Sequence, residues 1–96
     1  MQVVPPLIEF HFLICTNARE NGKDCASKGS VQMLDELKSW AKAQNFSKKI
    51  RINKSGCLDR CAEGVVCVAY PSAEWIVNAG PSDLNSMKKF IQERAQ

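Results

Sequence analysis

The alternation of apolar and polar residues changes period several times along this chain, and each change marks an element. From Leu7 to Ile14 the period is two. Ile8, Phe10, Phe12 and Ile14 fall on one side, and Leu7, Glu9, His11 and Leu13 on the other. A wholly apolar side opposite a mixed one predicts a strand laid on a core. Ahead of it, Val3 to Pro6 reads as an extended lead-in, because two prolines remove two backbone donors. Cys15 ends the strand. Residues 16–29 are polar and rich in turn formers, with Asn21-Gly22 as a tight turn, and this long loop carries Cys25. A helical period follows: Val31, Leu34, Leu37 and Ala41, widened by Met33 and Trp40, form the inner stripe of a helix over Ser30–Gln44. Ser30 is placed to serve as its N-cap.

Lys49 to Asn53 alternates again as a short strand, with Ile50 and Ile52 inward. Strand, helix and strand in so short a span predict a right-handed βαβ unit with parallel strands. The stretch Ser55 to Gly64, Ser-Gly-Cys-Leu-Asp-Arg-Cys-Ala-Glu-Gly, is then a compact loop. Val65 to Tyr70 is apolar on both faces, as a central strand is. Pro71-Ser72-Ala73 turns the chain back into a strand over Glu74–Val77, making a hairpin. Gly80-Pro81-Ser82-Asp83 is a stop and a new start, with Ser82 as N-cap. Leu84, Met87, Ile91 and Ala95, with Phe90 beside them, mark the inner face of a last helix. The order β-α-β, cysteine loop, β-β-α predicts an α/β protein. Its expected form is a four-stranded mixed sheet with two main helices and two cysteine-bearing loops, the order of a thioredoxin-like fold.

Composition adds bounds. The 96 residues, 45% of them hydrophobic and 24% charged, fit one domain over 1–96 with a small core. The net charge of +3 is dispersed. Lys48-Lys49-Ile50-Arg51 and Lys88-Lys89 have no interleaved aromatic residues to stack on bases, so no nucleic-acid partner is expected. No lysine or arginine precedes Leu7, so the start does not read as a signal peptide. No run approaches the roughly 20 apolar residues that span a membrane, so no membrane partner is expected. A cytoplasmic address follows as the expectation, and it bears on the cysteines, because disulfides are rare there. Five cysteines, an odd number, also fit a closed disulfide framework poorly.

Four of those cysteines are the candidate site: Cys15, Cys25, Cys57 and Cys61. A parallel βαβ unit delivers Cys15, at the end of the first strand, and the 57–61 loop, which follows the second, to one edge of the sheet. Gly56 and Gly64 flank that loop and permit positive φ and close backbone approach to sulfur. Three occupancies stay open on spacing alone. Structural zinc favours ligand pairs two to four residues apart, and nine residues separate Cys15 from Cys25. A dithiol catalyst usually shows C-x-x-C at a helix start, and this chain has none. An iron–sulfur cluster accepts widely spaced thiolates from two loops. Cys67, amid an apolar strand, reads as a small core hydrophobe. His11, the only histidine, reads as structural.

The sequence also resembles a family. Cys15-Thr-Asn-x-Arg19, Cys25-Ala-x-x-Gly29-Ser30, the whole of Ser55 to Gly64, then Tyr70-Pro71, Trp75 and a closing helix are similar to the thioredoxin-like [2Fe–2S] ferredoxins in the same order. A related arrangement with a tighter first cysteine pair occurs in a cluster-bearing subunit of respiratory complex I. The resemblance implies a [2Fe–2S] cluster ligated by Cys15, Cys25, Cys57 and Cys61, one-electron transfer in place of enzymatic bond chemistry, redox partner proteins, and a homodimer. Four thiolates around a dicationic cluster would bring the charge to about +1. Arg19, Lys23, Lys28 and Arg60 border the ligand loops and are expected to offset the cluster's charge and to orient docking on acidic partners. Two positions depart from the family pattern. Val65 stands where many relatives have proline, and Ile76, expected near the dimer surface, stands where many have tyrosine. The rival readings are a zinc-stabilised interaction module and a thiol–disulfide oxidoreductase.

Overall fold

A computed structural model describes residues 1–17, 29–56 and 64–96 of the chain. Among these residues four strands form one sheet: β1 (Phe10–Cys15), β2 (Ile50–Ser55), β3 (Val65–Tyr70) and β4 (Glu74–Ala79). Two helices, α1 (Ser30–Lys42) and α2 (Leu84–Ala95), accompany them, the second entered through a short 3-10 turn at Pro81–Asp83. The strand order is β2-β1-β3-β4. β1 and β2 are parallel, and β3 is antiparallel to both β1 and β4. The expected mixed four-stranded sheet of a thioredoxin-like fold is therefore present.

Register sorts the side chains into two faces. Phe10, Phe12 and Ile14 share a face with Ile50 and Ile52 of β2 and with Cys67 and Ala69 of β3. Both helices lie on that face: Met33, Leu34 and Leu37 from α1 and Met87, Ile91 and Ala95 from α2 join it in one buried cluster. Phe12 meets Phe90 of α2 with ring centroids 6.1 Å apart, within the range of a favourable aromatic pair. The opposite face carries His11, Leu13, Cys15, Val66, Val68, Trp75 and Val77, and no described helix covers it. All six residues of β3 except Tyr70 are buried, because β3 lies inside the sheet, as its doubly apolar run predicts.

Element boundaries moved where tertiary neighbours overrode local pattern. β1 begins at Phe10, three residues later than the alternation from Leu7 predicts; Leu7 is exposed, since β2 offers no partner so far back. β2 runs on to Ser55, two residues past the expected end, because β1 pairs with it that far. α1 stops at Lys42, two residues early, and Val31, expected in its inner stripe, is exposed; Met33, Leu34 and Leu37 of that stripe are buried as expected. β4 likewise continues to Ala79.

Both predicted serine caps are corrected. Gly29, not Ser30, is the N-cap of α1, in the left-handed region at φ 92°. A Cβ there would lie 2.9 Å from Pro81 Cγ, so both conformation and space require glycine. Ser30 is the first helical residue, and its hydroxyl is buried with no hydrogen-bond partner among the described residues. At the second helix Ser82 is exposed, and Asp83 performs the local capping: its carboxylate accepts from the Gly80 N–H at 2.9 Å. The end of α2 is pinned to β4 by Arg94, which donates to both carboxylate oxygens of Glu74 at 2.7 and 2.8 Å and lies 3.6 Å over the Phe90 ring.

Candidate metal centre at the cysteine edge of the sheet

Cys15 is the last residue of β1 and is fully buried, against Val66 and Val77 on the face opposite the helices. Its Cα partner in the parallel ladder is Ser55, the last residue of β2. The two chains stay together beyond the strands: the Thr16 N–H donates to the Ser55 carbonyl at 3.1 Å, and the Thr16 hydroxyl reaches the same oxygen at 3.5 Å. Thr16, Asn17, Lys54, Ser55 and Gly56 line an open depression of about 390 Å³. The exit from β1 and the exit from β2 are thus two walls of one hollow.

The other chain ends border the same edge. β3 starts there, since Cys67 is opposite Ile14 and Val65 pairs with Ala79 at the end of β4. Gly64 enters β3 at φ 80°, and a Cβ on it would stand 2.7 Å from the Asn78 Cα. Gly29 closes against Pro81, just after β4. Hence the segment that begins after Asn17 and returns at Gly29, and the segment that begins after Gly56 and returns at Gly64, both start and finish along one side of the sheet.

Cys25, Cys57 and Cys61 lie outside the described residues, as do Arg19, Lys23, Lys28, Arg60 and the Asn21-Gly22 turn. Among the described residues no three histidine, cysteine, aspartate or glutamate side chains converge. Cys15 is in place at the edge. Cys57 directly follows Gly56 in the sequence, and Cys25 precedes Gly29 by four residues. Of the two flanking glycines only Gly64 has positive φ. Gly56 does not, and a Cβ on it would meet nothing within 4 Å, so the symmetrical role expected of the pair is corrected.

Cys67 is buried in the helix-side core opposite Ile14 and Ile76, on the other face of the sheet from Cys15. β-strand alternation sends its sulfur away from the hollow. His11 bonds across the strands, its Nε2 2.8 Å from Asn53 Oδ1, in keeping with a structural role. Ile76 packs against the helix-side core. Sequence reading did not single out Thr16 as the tie between the two exits, nor Pro81 as the seat of Gly29. The first is a backbone contact across 39 positions, and neither leaves a local signal. Among the described residues no helix is long and apolar enough to cross a membrane.

No protein-family model matches the sequence. Individual proteins do. The chain is 30% identical over 80 residues to a 2Fe-2S ferredoxin of Clostridium pasteurianum, covering 80% of this chain and 78% of that one. It is 28% identical over 82 residues to a 2Fe-2S ferredoxin of Aquifex aeolicus, covering 80% and 73%. A solved structure of a thioredoxin-like [2Fe-2S] ferredoxin from Aquifex aeolicus superposes with a TM-score of 0.72 at 25% identity, over 81% of this chain and 74% of that one. A crystal structure of the wild-type form of that protein gives 0.71 at 20% identity, over 91% and 88%. Sheet order, the strand-end cysteine and this likeness along most of both chains agree: the chain belongs to the thioredoxin-like [2Fe-2S] ferredoxin family.

Proposed function

We propose that this chain is a one-electron carrier holding a [2Fe–2S] cluster on the thiolates of Cys15, Cys25, Cys57 and Cys61. The observation that carries the reading is the register Cys15↔Ser55. It sets a fully buried strand-end cysteine beside the exit to the loop that contains Cys57 and Cys61. The donor chemistry fits such a group: four cysteine sulfurs are the usual ligands of this cluster. Cys15 is not in a disulfide, and the exits from β1 and β2 that lead to the two cysteine-bearing segments line one hollow.

When bound, the cluster supplies a site that gains and loses a single electron without breaking a bond in the protein. The chain's own residues do the rest. Val66 and Val77 wall one side of Cys15 and keep water from its sulfur. Thr16 and Ser55 hold the two exits at fixed separation by a backbone hydrogen bond. Gly64 lets the second loop re-enter the sheet hard against the β4 backbone at Asn78. Such surroundings tune a cluster's potential through solvent access and hydrogen bonding.

Redox partner proteins, a cytoplasmic address and a homodimer belong to the same proposal. Retained thiols suit a reducing compartment. The helix-free face of the sheet, with Trp75 43% and Tyr70 44% exposed, supports self-association there. Arg19, Lys23, Lys28 and Arg60 are assigned by the same reading to docking and charge balance.

The deciding experiment is the absorption spectrum of anaerobically purified protein, with iron and acid-labile sulfide analysis. A reddish-brown chromophore that bleaches with dithionite as an EPR signal grows in is the expected result. Zinc with no labile sulfide in well-reconstituted protein would overturn the proposal in favour of a zinc-stabilised module. Thiol–disulfide turnover by a colourless protein would overturn it in favour of an oxidoreductase.

A further inference from the structure

Among the described residues β2 is an edge strand, paired on one side only. The Lys49 and Ser55 carbonyls accept from β1, so strand alternation turns the N–H and C=O groups of Ile50, Ile52 and Lys54 outward. Beside this open edge, between β2 and the second half of α1, runs a groove of about 550 Å³. Ala41, Ile50 and Ile52 contribute apolar floor; Lys38, Lys42, Lys49 and Arg51 form the rim, and among the described residues no acidic side chain lines it. All four cations are exposed, and none is ion-paired to another described residue. Register puts Arg51 on the face opposite the helices, whereas Lys38 and Lys42 come from α1 on the helix side. Positive charge therefore flanks both sides of the free edge.

We propose that the β2 edge is a docking site for an extended acidic segment of a partner protein, which adds as a fifth strand. Unsatisfied main-chain groups provide the affinity common to strand addition, and side chains on alternate faces provide the selection. In an added strand successive side chains point to opposite faces, so carboxylates on either face meet a cation, Lys38 and Lys42 on one and Arg51 on the other. Where the carboxylates take the Arg51 face, the apolar side chains that alternate with them reach the Ile50–Ile52 floor on the helix side. Lysines along an edge also discourage pairing between identical edges. A second copy would bring its own cations against these, whereas an acidic strand neutralises them. Asp35, one turn before Lys38, borders the neighbouring groove towards Lys54. The Ile50 end of β2 is therefore the more cationic and anchors the acidic segment. A strand laid along β2 finishes beside Ser55 and the cysteine edge. The inference rests on the sheet and its charges, not on cluster binding, so each can fail alone.

The test is fluorescence anisotropy on the whole purified protein with a labelled, end-blocked octapeptide alternating glutamate and valine. Hydrogen exchange is followed in parallel. Saturable binding is expected, weakening as salt screens the exposed charges. Amide protection should be gained at Ile50, Ile52 and Lys54. The double variant Lys42→Glu/Arg51→Glu should bind about ten-fold more weakly, which is about 1.4 kcal/mol, with its far-UV circular dichroism unchanged. A peptide of the same sequence and charge N-methylated at every backbone amide, which cannot donate to the edge, should not bind. Absence of saturable binding at low salt would overturn the proposal. So would equal binding of the N-methylated peptide, equal binding of a single-stranded oligonucleotide of matched charge, or protection confined to other strands.

Discussion

Replacing Gly64 by alanine tests how the second cysteine loop is seated. Gly64 has φ 80°, a region in which a Cβ costs roughly 1–2 kcal/mol. The new Cβ would also stand 2.7 Å from the Asn78 Cα, 3.2 Å from its carbonyl carbon and 3.3 Å from its nitrogen. Carbon atoms pack comfortably at about 3.5–4.0 Å, so the backbone of β4 must move. No side-chain rotation relieves the clash, because all three atoms are main chain. Forced repacking of this kind costs about 1–3 kcal/mol, so together the terms reach roughly 2–5 kcal/mol. For a domain of this size 1 kcal/mol corresponds to about 4–8 °C in melting midpoint, so Gly64→Ala should lower Tm by about 8 °C or more. Gly56→Ala is the control. Gly56 lacks positive φ, and a Cβ added there would have nothing within 4 Å, so the change should be neutral or slightly stabilising, within about 1 kcal/mol. The assay is thermal and urea unfolding followed by far-UV circular dichroism. Equal midpoints for Gly64→Ala and wild type, or a larger loss in Gly56→Ala, would refute the reasoning.

Three further outcomes follow from the same geometry. The Arg94 guanidinium, with the Ser72 hydroxyl, holds the Glu74 carboxyl down from its ordinary 4.5 to about 2. A depressed carboxylate stabilises the fold above its unfolded value and loses that contribution as pH falls through its folded value. The stability gap between wild type and Glu74→Gln should therefore be full above about pH 4.5 and close towards pH 2; a gap that widens on acidification in urea titrations contradicts it. Cys67→Ala should cost about 1 kcal/mol by unfolding and leave the visible spectrum unchanged, while Cys25→Ser and Cys61→Ser alter or abolish that spectrum. The reverse pattern would remove the ligand assignment. Leu37→Ala, at a fully buried position of α1, should cost about 2–5 kcal/mol in urea unfolding, and a loss below 1 kcal/mol would place Leu37 outside the core.

Local periodicity was enough to make most of the architecture legible. The doubly apolar run Val65–Tyr70 announces an interior strand, and β3 has those bounds and that place. The stripe Met87, Ile91 and Ala95 announces the inner face of the last helix, and all three are buried. Such signals survive in sequence because burial repeats along one element with that element's own period. The parallel βαβ unit was legible for a related reason: a crossover of this length has one favoured hand. It carries Cys15 to the end of β1 beside the exit of β2, so the placing of that one cysteine followed from chain order.

What remained depended on residues distant along the chain. Nothing near Gly29 says that it, and not Ser30, must cap α1; the reason is Pro81, which reaches it from beyond β4. Nothing near Val31 says that it is exposed while Met33 is buried, because helical phase is set by where the sheet lies. Nothing near Gly56 and Gly64 distinguishes them, yet only Gly64 abuts Asn78. The sequence by itself determined which stretches form strands and helices, to within two or three residues at their ends, and which thiols the chain carries, since both follow from neighbours a few positions apart. The tertiary structure decided register, and with it which glycine is indispensable and which edge lies open. It also decided which cysteine, Cys15 and not Cys67, faces away from the helices. The physical reason is that register is an agreement between two strands, fixed by packing on a shared core, and neither strand contains it alone.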